Sequence, residues 1–404
     1  MSSKGATVEI AKVSTGSSAA ALERARGVIE LLRAEAPRIE AARSIPSDVL
    51  ERLHEARLFR LLLPRTLGGD ELPLKVHAQV MEMIASADAS VAWCMGQGAG
   101  CAMSSAFLRK DVAKRLFGPA DAVLAWGAGV QGKAIEVDGG YRVSGKWTFA
   151  SGCANATLLG AHSWVYEKDG KTQRRRPDGR PLDRTPLFAK SKATVHDMWH
   201  TLGLRGTASY TYEVTDLFVP QEETIDRENF TELVETGTLF HFPTTQAYAA
   251  GFSALMLGIA QGMVSDLAKL ALTKSPRGAA SSLLDSPVFQ SELAVLEARL
   301  RACRAYLHTT LDEIWTEVDQ THEMTVRQRA DLKLATTWVI NQGVDIATQA
   351  YRAAGQTAIF PINPFEHRLR DAYCASQQTQ GRPSNFITIG RVLMGLEPDT
   401  AMFL

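Results

Sequence analysis

The stretch "GYRVSGKWTFASGC", residues 140–153, has the composition of a β-strand that ends in unusually small residues. Aromatic side chains such as Trp147 and Phe149 favour a pleated, half-buried strand. The strand then ends in Ala150-Ser151-Gly152 instead of the usual turn-forming residues. Two explanations are open at this point: a tight bend of the chain, or a flat ligand that lies against a bare backbone.

Around this strand the sequence divides into three parts. Short apolar runs between turns such as Asp138-Gly139-Gly140 fill residues 121–235, and no helical pattern separates them, which predicts an antiparallel β unit. Apolar residues at spacings of three and four predict a helical domain over 20–120 and another over 236–404. Residues 1–19 are expected to be flexible.

The C-terminal part has the pattern of a helix bundle. Its four predicted helices cover 248–273, 288–318, 326–354 and about 369–395. Long amphipathic helices with short connections predict a four-helix bundle, so the expected fold class is α+β and mainly helical. No stretch reaches the roughly 20 consecutive apolar residues of a membrane-spanning helix.

The charge balance and the cysteines argue against several classes of protein. Among 404 residues, 44 Lys and Arg balance 44 Asp and Glu, so neither nucleic acid nor a membrane surface is indicated as a partner. The five cysteines are scattered and include no Cys-x-x-Cys pair, which fits a reducing cytoplasm rather than a disulfide framework or a zinc cluster. The N-terminus lacks the basic start and apolar core of a secretory signal.

Two short motifs resemble ligand sites only in isolation. "GAGVQG", residues 127–132, has the glycine spacing of a dinucleotide-binding loop, but strand-like sequence follows where that fold requires a helix. "HDMWH", residues 196–200, spaces two histidines as on a zinc-binding helix, yet it lies between strand-like runs and offers no third ligand. We therefore expect a β loop at the first motif, structural or surface histidines at the second, and no metal.

Five segments, in the right order along the chain, resemble the acyl-CoA dehydrogenase superfamily. The most specific is "LGLRGTASYTYEVTDLFVP" (202–220); the others are "LPRTLGGDEL" (63–72), "DASVAWCMGQG" (88–98), "WTFASG" (147–152) and "QAYRAAGQTAIFPINPFEHRLRDA" (349–372). The resemblance covers most of the chain. It implies a helical N-terminal domain, a middle β domain and a C-terminal four-helix bundle.

Within that superfamily, the pattern Trp-x-Phe-x-Ser-Gly looks most like the oxygenase components of two-component flavin-dependent monooxygenases. These enzymes take reduced flavin, FMN or FAD, from a separate flavin reductase and react it with O2. The resemblance implies that Ser151 lies beside flavin N5 and helps to hold a C4a-hydroperoxide, with Trp147, Thr148 and Phe149 along the ring. A dry apolar wall would prolong the life of such a species. The alternative is that the aromatic residues fill a β core and that Ser151 only makes a turn.

The resemblance assigns further residues to three groups of contacts. Near the flavin ring it places Trp126, Arg205 and Ser209, with the alternatives that Trp126 is a core residue and that Arg205 pairs with an acid. On the flavin phosphates, from a neighbouring subunit of a homotetramer, it places Arg277, Gln349 and Gly355. On the substrate side we expect Trp93, Gln97, Gln377 and Gln378, with helix packing as the alternative for Trp93 and Gln97.

Two positions depart from well-known members of the family. Acyl-CoA dehydrogenases need a carboxylate that removes the α-proton of a thioester, and none stands near Thr379, where one common position falls. Aromatic hydroxylases of the second branch often carry a histidine in the last helical segment, where this chain has Gln377 and Gln378 and no histidine after His367. A glutamine orients a substrate but does not accept a proton near neutral pH.

These departures favour a substrate that needs no deprotonation, such as an amine, a sulfide or an electron-rich ring. The predicted function is therefore the oxygenase component of a two-component flavin monooxygenase that acts on a small aromatic or heteroatom-containing molecule. Two alternatives stay open: an acyl-CoA dehydrogenase or oxidase with an atypical base, and a non-catalytic binding protein on the same scaffold.

Overall fold

The computed structural model describes residues 17–227, 229–275, 278 and 282–400. Most of the segment predicted to be flexible therefore lies outside the described residues, as does Arg277. Helix α1 already includes the last two residues of that segment. The described N-terminal residues contain five α-helices: α1 (Ser18–Ala42), α2 (Ser47–Glu55), α3 (Leu74–Ala85), α4 (Ala89–Ala102) and α5 (Lys110–Phe117).

Among the described residues, nine strands form one sheet. They are β1 (Leu124–Trp126), β2 (Gly132–Val137), β3 (Gly140–Ala150), β4 (Leu158–Gly160), β5 (Ser163–Tyr166), β6 (Asp183–Ala189), β7 (Thr194–His196), β8 (Tyr210–Pro220) and β9 (Thr224–Ile225). Their spatial order is β1-β4-β6-β5-β2-β3-β8-β7, with β9 paired to β6. Most pairs are antiparallel, as predicted, but β1 with β4 and β2 with β5 are parallel. The sheet is mixed because intervening strands act as the long crossover that parallel neighbours require.

The C-terminal part is helical, as predicted. Its helices are α6 (Thr244–Ala271), α7 (Pro287–Thr321), α8 (Val326–Ala354), α9 (Phe365–Ser376) and α10 (Asn385–Leu393). The single helix expected over about 369–395 is wrong, because α9 and α10 are separate elements with a short turn, Thr379–Gly381, between them. Pro383 lies in the same break, and a proline has no N–H with which to continue a helix.

The helices before and after the sheet share one hydrophobic core, and a second core lies against the sheet. Helix α6 packs against α3, α4, α7 and α8. Among the described helices, α6 alone is long and apolar enough to cross a membrane, but 89% of its most apolar window is buried inside the protein. The sequence analysis predicted this helix over 248–273 and did not count it as a membrane span, because its apolar residues do not form an unbroken run of about 20. Helix α6 is apolar on every side because it is the central helix of the core.

Candidate flavin site at the end of strand β3

Strand β3 ends in an irregularity that turns one aromatic side chain outward. The pairing of β3 with β8 slips between Trp147 and Ala150. Phe149, inside this slip, has a φ of 61° and is 62% exposed. A left-handed φ costs a non-glycine residue roughly 1–2 kcal/mol. Its ring meets the edge of Trp199, with ring centroids 5.9 Å apart. The bend suggested by the sequence is therefore present, and it leaves an aromatic face open.

Trp147 faces the opposite way. It is completely buried, its indole N–H donates to His162 O over 2.9 Å, and its ring stacks on Tyr212 with centroids 5.4 Å apart. The prediction that this ring lies along a flavin is corrected, because the side chain fills the core against the sheet. Thr148, between the two aromatic residues, is held by Gln131, whose side-chain oxygen accepts from both its N–H and its hydroxyl.

Ser151 is the meeting point of three segments of the chain. Its hydroxyl accepts a hydrogen bond from the indole N–H of Trp93, on α4, over 2.9 Å, and lies 2.7 Å from the hydroxyl of Ser209. Ser209 lies in turn 2.7 Å from the hydroxyl of Thr207. All three hydroxyl-bearing residues are buried. The structure thus brings Ser151 and Ser209, both expected near the flavin ring, together with Trp93, which was expected on the substrate side. It adds Thr207, which lies in the same Gly-Thr-Ala-Ser segment as Ser209.

The segment Leu202–Ser209, which we call the 202–209 loop, carries two of these hydroxyls. Leu204 and Ala208 both have positive φ values, 50° and 43°. Helix α9 holds the first half of the loop, since Asp371 accepts from Leu204 N–H over 2.6 Å and Arg370 donates to Leu202 O over 2.8 Å. The second half is held by the strand end, where Gly152 N–H donates to Thr207 O over 2.7 Å.

A charged cluster lies behind the loop, next to a cleft of about 640 Å³. His367 lies 3.3 Å from Asp371 and 3.6 Å from Glu40. Burial opposes a charge on this imidazole, but the hydrogen bond and charge of Asp371, with Asp88 and Glu40, raise the pKa of His367 to about 9. Burial also raises the pKa of Asp88 to about 6. His367 therefore carries a positive charge in this cluster at neutral pH.

Arg205 belongs to this charged cleft. Its guanidinium is 3.9 Å from Glu40, and no structural contact joins it to Ser151. The place of Arg205 in the structure therefore does not support a position near the flavin ring. Its contact with Glu40 favours the alternative, which is that Arg205 pairs with an acid.

Three aromatic rings form a ladder beside Ser151. Trp93 stacks on Phe252 with centroids 4.1 Å apart, and Phe252 stacks on Tyr248 with centroids 5.7 Å apart. Gln97 donates to the Tyr248 hydroxyl over 3.2 Å. A side chain at Gly100 would come within 2.3 Å of the Tyr248 ring, so the small residues of α4 serve close helix packing. Trp93 and Gln97 are half-buried and lie on this ladder, next to the serine.

Several predicted contacts lie elsewhere. Trp126 is buried, with its ring tilted on His162 at 4.7 Å, so the prediction that it flanks a flavin ring is corrected. Gln377 is exposed at the end of α9. The Gln378 side-chain oxygen accepts from Gln380 N–H, while its buried amide nitrogen has no partner in the described part of the chain.

Two residues predicted to contact flavin phosphates lie near the end of α8. Gln349 is exposed on that helix, and Gly355 follows its last residue with a φ of 56°. Within the described residues, no contact joins either of them to Ser151, Ser209 or Thr207. A role toward a neighbouring subunit stays a prediction for both.

The two rejected motifs have the local structures that were expected. Residues 127–131 connect β1 to β2, so no helix follows the glycines. His196 ends β7, 3.2 Å from Glu213, and His200 lies in the following loop beside Arg43. The two histidines therefore share no helix.

The residues at the end of β3 fit a flat, conjugated ring. Phe149 and Trp199 supply an exposed aromatic edge, and a ring that covers them would remove apolar surface from water. Ser151 offers a polar atom at the end of this surface, and its orientation is fixed by Trp93 and Ser209. A flavin meets both requirements, because it has an apolar tricyclic ring and hydrogen-bonding atoms along one edge.

Comparison with known sequences decides the family. Residues 19–115 match the family model described as acyl-CoA dehydrogenase, N-terminal domain, and residues 250–381 match the one described as acyl-CoA dehydrogenase, C-terminal domain. Together these matches cover more than half of the chain. The protein belongs to the acyl-CoA dehydrogenase superfamily. The resemblance and the fold predicted from the five sequence segments are thereby confirmed.

Within the superfamily, the similar proteins are flavin-dependent monooxygenases. Indole-3-acetate monooxygenase of Acinetobacter baumannii is 28% identical over 359 residues, which are 88% of each chain. The oxygenase component of FADH2-dependent resorcinol hydroxylase from Rhizobium sp. is 26% identical over 93% of this chain and 94% of its own.

Solved structures share the fold. XiaF from Streptomyces sp., in complex with FADH2 and glycerol, has a TM-score of 0.86 at 20% identity, over 95% of this chain and 97% of its own. Dibenzothiophene monooxygenase TdsC from Paenibacillus sp., with FMN and indole, has a TM-score of 0.78 at 19% identity, over 95% of this chain and all of its own.

Proposed function

We propose that this superfamily member is the oxygenase component of a two-component flavin-dependent monooxygenase. The observation that carries the proposal is the end of β3, where an exposed Phe149 and a buried, hydrogen-bonded Ser151 lie side by side. The names of its relatives support the same activity. A separate reductase would supply reduced FMN or FAD, and the enzyme would work in the cytoplasm, where its five free cysteines stay reduced.

The chain's own residues have distinct roles in this proposal. Phe149 and Trp199 hold the ring by apolar contact, while Thr148 and Ser151 present polar atoms along it. When bound, reduced flavin supplies the electrons that activate O2. Ser151 is the catalytic residue, since it is the buried polar group at this surface. The aromatic ladder keeps water from the serine on one side.

The substrate class follows from the absence of a usable base. Among the described residues, no carboxylate hydrogen-bonds to Ser151, Trp93 or Gln97. Burial raises the pKa of Tyr248 well above its usual value and lowers that of His162 well below. Neither group accepts a proton from a weakly acidic substrate near neutral pH. We therefore propose an electron-rich aromatic or heteroaromatic substrate of the indole type, which reacts without prior deprotonation.

The assembly proposed is a homotetramer. Gln349 and Gly355, together with Arg277, would meet the flavin phosphates of a neighbouring subunit. Gln349 on α8 and Gly355 directly after it are both exposed, which is compatible with this role. A glycine with positive φ lets the backbone approach a phosphate closely.

The experiment compares flavin binding with oxygen transfer. Anaerobic titration should give tighter binding of reduced than of oxidised flavin. With NADH, a flavin reductase, indole or indole-3-acetate and ¹⁸O2, one labelled oxygen atom should enter the product, and omission of the reductase should abolish the product. If the protein instead holds oxidised FAD tightly and a medium-chain acyl-CoA bleaches it, the enzyme is a dehydrogenase. Binding of neither redox state would indicate a non-catalytic protein.

A further inference from the structure

The hydroxyls of Ser151, Ser209 and Thr207 form a continuous hydrogen-bonded row, which we call the hydroxyl chain. Consecutive oxygens are 2.7 Å apart. One end receives the Trp93 indole N–H over 2.9 Å, and at the other end the Thr207 hydroxyl lies 2.9 Å from Leu204 O. Each member is less than 9% exposed, so water does not compete for these contacts.

The two ends fix the direction of every proton in the hydroxyl chain. A carbonyl oxygen only accepts, so the Thr207 hydroxyl donates its single proton to Leu204 O. The Thr207 oxygen is then the acceptor for Ser209, and the Ser209 oxygen is the acceptor for Ser151. An indole N–H only donates, so Ser151 accepts from Trp93 at the other end and keeps its own proton for Ser209. Hydrogen bonds that point the same way along a row strengthen one another.

This direction decides what Ser151 offers to a bound molecule. Ser151 donates its proton to Ser209, and one lone pair of its oxygen accepts from Trp93. One lone pair of the Ser151 oxygen is therefore left for another donor. We infer that the hydroxyl chain makes Ser151 a hydrogen-bond acceptor toward the flavin surface, and that this selects reduced over oxidised flavin. The inference rests on the proposed function.

The selection follows from the chemistry of the two redox states. The central ring of reduced flavin carries an N–H at N5, which an accepting serine oxygen stabilises. The same nitrogen in oxidised flavin has a lone pair and no proton, so it would face the serine lone pair without a hydrogen bond. An unpaired polar contact in a buried site costs free energy. Thr207 and Ser209 are thus positioning residues that act through Ser151.

Thr207→Val tests the inference with little change of shape. Valine leaves Ser209 without its acceptor, so the Ser209 proton turns to Ser151, and the Ser151 proton turns toward the flavin surface. Leu204 O keeps two other donors, Trp199 Nε1 at 3.0 Å and the backbone N–H of residue 207 at 3.2 Å. The loop therefore keeps its anchoring. Thr207→Ser is the matched control, because it keeps the hydroxyl and removes a methyl group.

The measurement is the dissociation constant of oxidised and of reduced FMN, each under anaerobic conditions. We expect the ratio of the oxidised to the reduced constant to fall about tenfold in Thr207→Val, the loss of about one hydrogen bond's selectivity. Oxidised flavin should bind more tightly than to the wild type, a gain that a damaged fold does not produce. The ratio should stay within about twofold in Thr207→Ser.

Two outcomes separate the two proposals. Binding of reduced flavin to the wild type with an unchanged ratio in Thr207→Val overturns the hydroxyl-chain inference and leaves the proposed function standing. No binding of either state to the wild type overturns both. If Thr207→Val does not fold, Ser209→Ala replaces it. That variant removes the acceptor of the Ser151 proton directly, so an unchanged ratio there also overturns the inference.

Discussion

Two regions at the end of strand β3 have opposite surroundings, although their aromatic residues are only two positions apart. Trp147 is buried against Tyr212 and donates to His162 O, whereas Phe149 is exposed beside Trp199. Alternate residues of a regular strand share a face. The left-handed φ of Phe149 and the slip in pairing with β8 break that rule. One strand therefore supplies a residue of the core and a residue of the site, because its geometry changes between them.

The largest effect is expected for a substitution on the buried side, at Trp147. Trp147→Ala should lower the free energy of unfolding by about 3–5 kcal/mol, because it removes a large core side chain and leaves a cavity. Urea unfolding followed by circular dichroism measures it. Trp147→Phe is the control, since it keeps an aromatic ring and loses the bond to His162 O. A loss below about 1 kcal/mol in Trp147→Ala would mean that this ring does not support the core.

The second-largest effect is expected at helix α9, which anchors the 202–209 loop. Asp371→Ala leaves the Leu204 N–H and the His367 charge without their shared carboxylate, and it should cost about 3 kcal/mol of unfolding free energy. The same urea titration applies. Asp371→Asn keeps an acceptor for the N–H and should cost less. Equal losses in the two variants would show that the charge, and not the N–H bond, holds the loop.

On the exposed side, stability and binding should separate. Phe149→Gly should change the free energy of unfolding by less than about 1 kcal/mol, because the ring is exposed and glycine accepts a positive φ. Binding of reduced flavin should weaken roughly tenfold through loss of an aromatic contact. Phe149→Leu, which keeps apolar surface, should fall between. Unchanged flavin affinity in Phe149→Gly would remove this residue from the site.

The smallest effect is a pH dependence that belongs to the charged cluster. The pKa of His367 is raised in the folded protein to about 9. Its charge therefore stabilises the fold fully below the ordinary histidine pKa, and this contribution is lost as the pH rises through about 9. The melting temperature of the wild type should fall between pH 7 and 10 more steeply than that of His367→Gln. Parallel curves would contradict a charged His367.

The sequence predicted more of the fold than of the site. Helix and strand patterns, with five family segments, were sufficient for the layout, because apolar periodicity records which face is buried. The broken last helix was readable from Pro383, whose missing N–H ends a helix. The family resemblance, by contrast, placed both Trp147 and Phe149 along the flavin ring, and no residue type in that stretch indicates a positive φ at a phenylalanine.

The hydroxyl chain was only partly visible in the sequence. Ser151, Ser209 and Trp93 were each predicted as site residues from the family pattern, but their contacts join segments 58 residues apart in each case. Thr207 was missed, although it stands between Arg205 and Ser209 in a quoted motif. Direction along a hydrogen-bonded row depends on which end is a carbonyl, and that information exists only in the folded chain.

The most direct test is a crystal structure of the wild type, prepared without oxygen and with reduced flavin. We predict that the flavin ring lies against Phe149, with the Ser151 oxygen within hydrogen-bonding distance of the ring N–H and still bonded to Ser209. A ring bound elsewhere, with Phe149 uncovered and Ser151 free of contact, would contradict it.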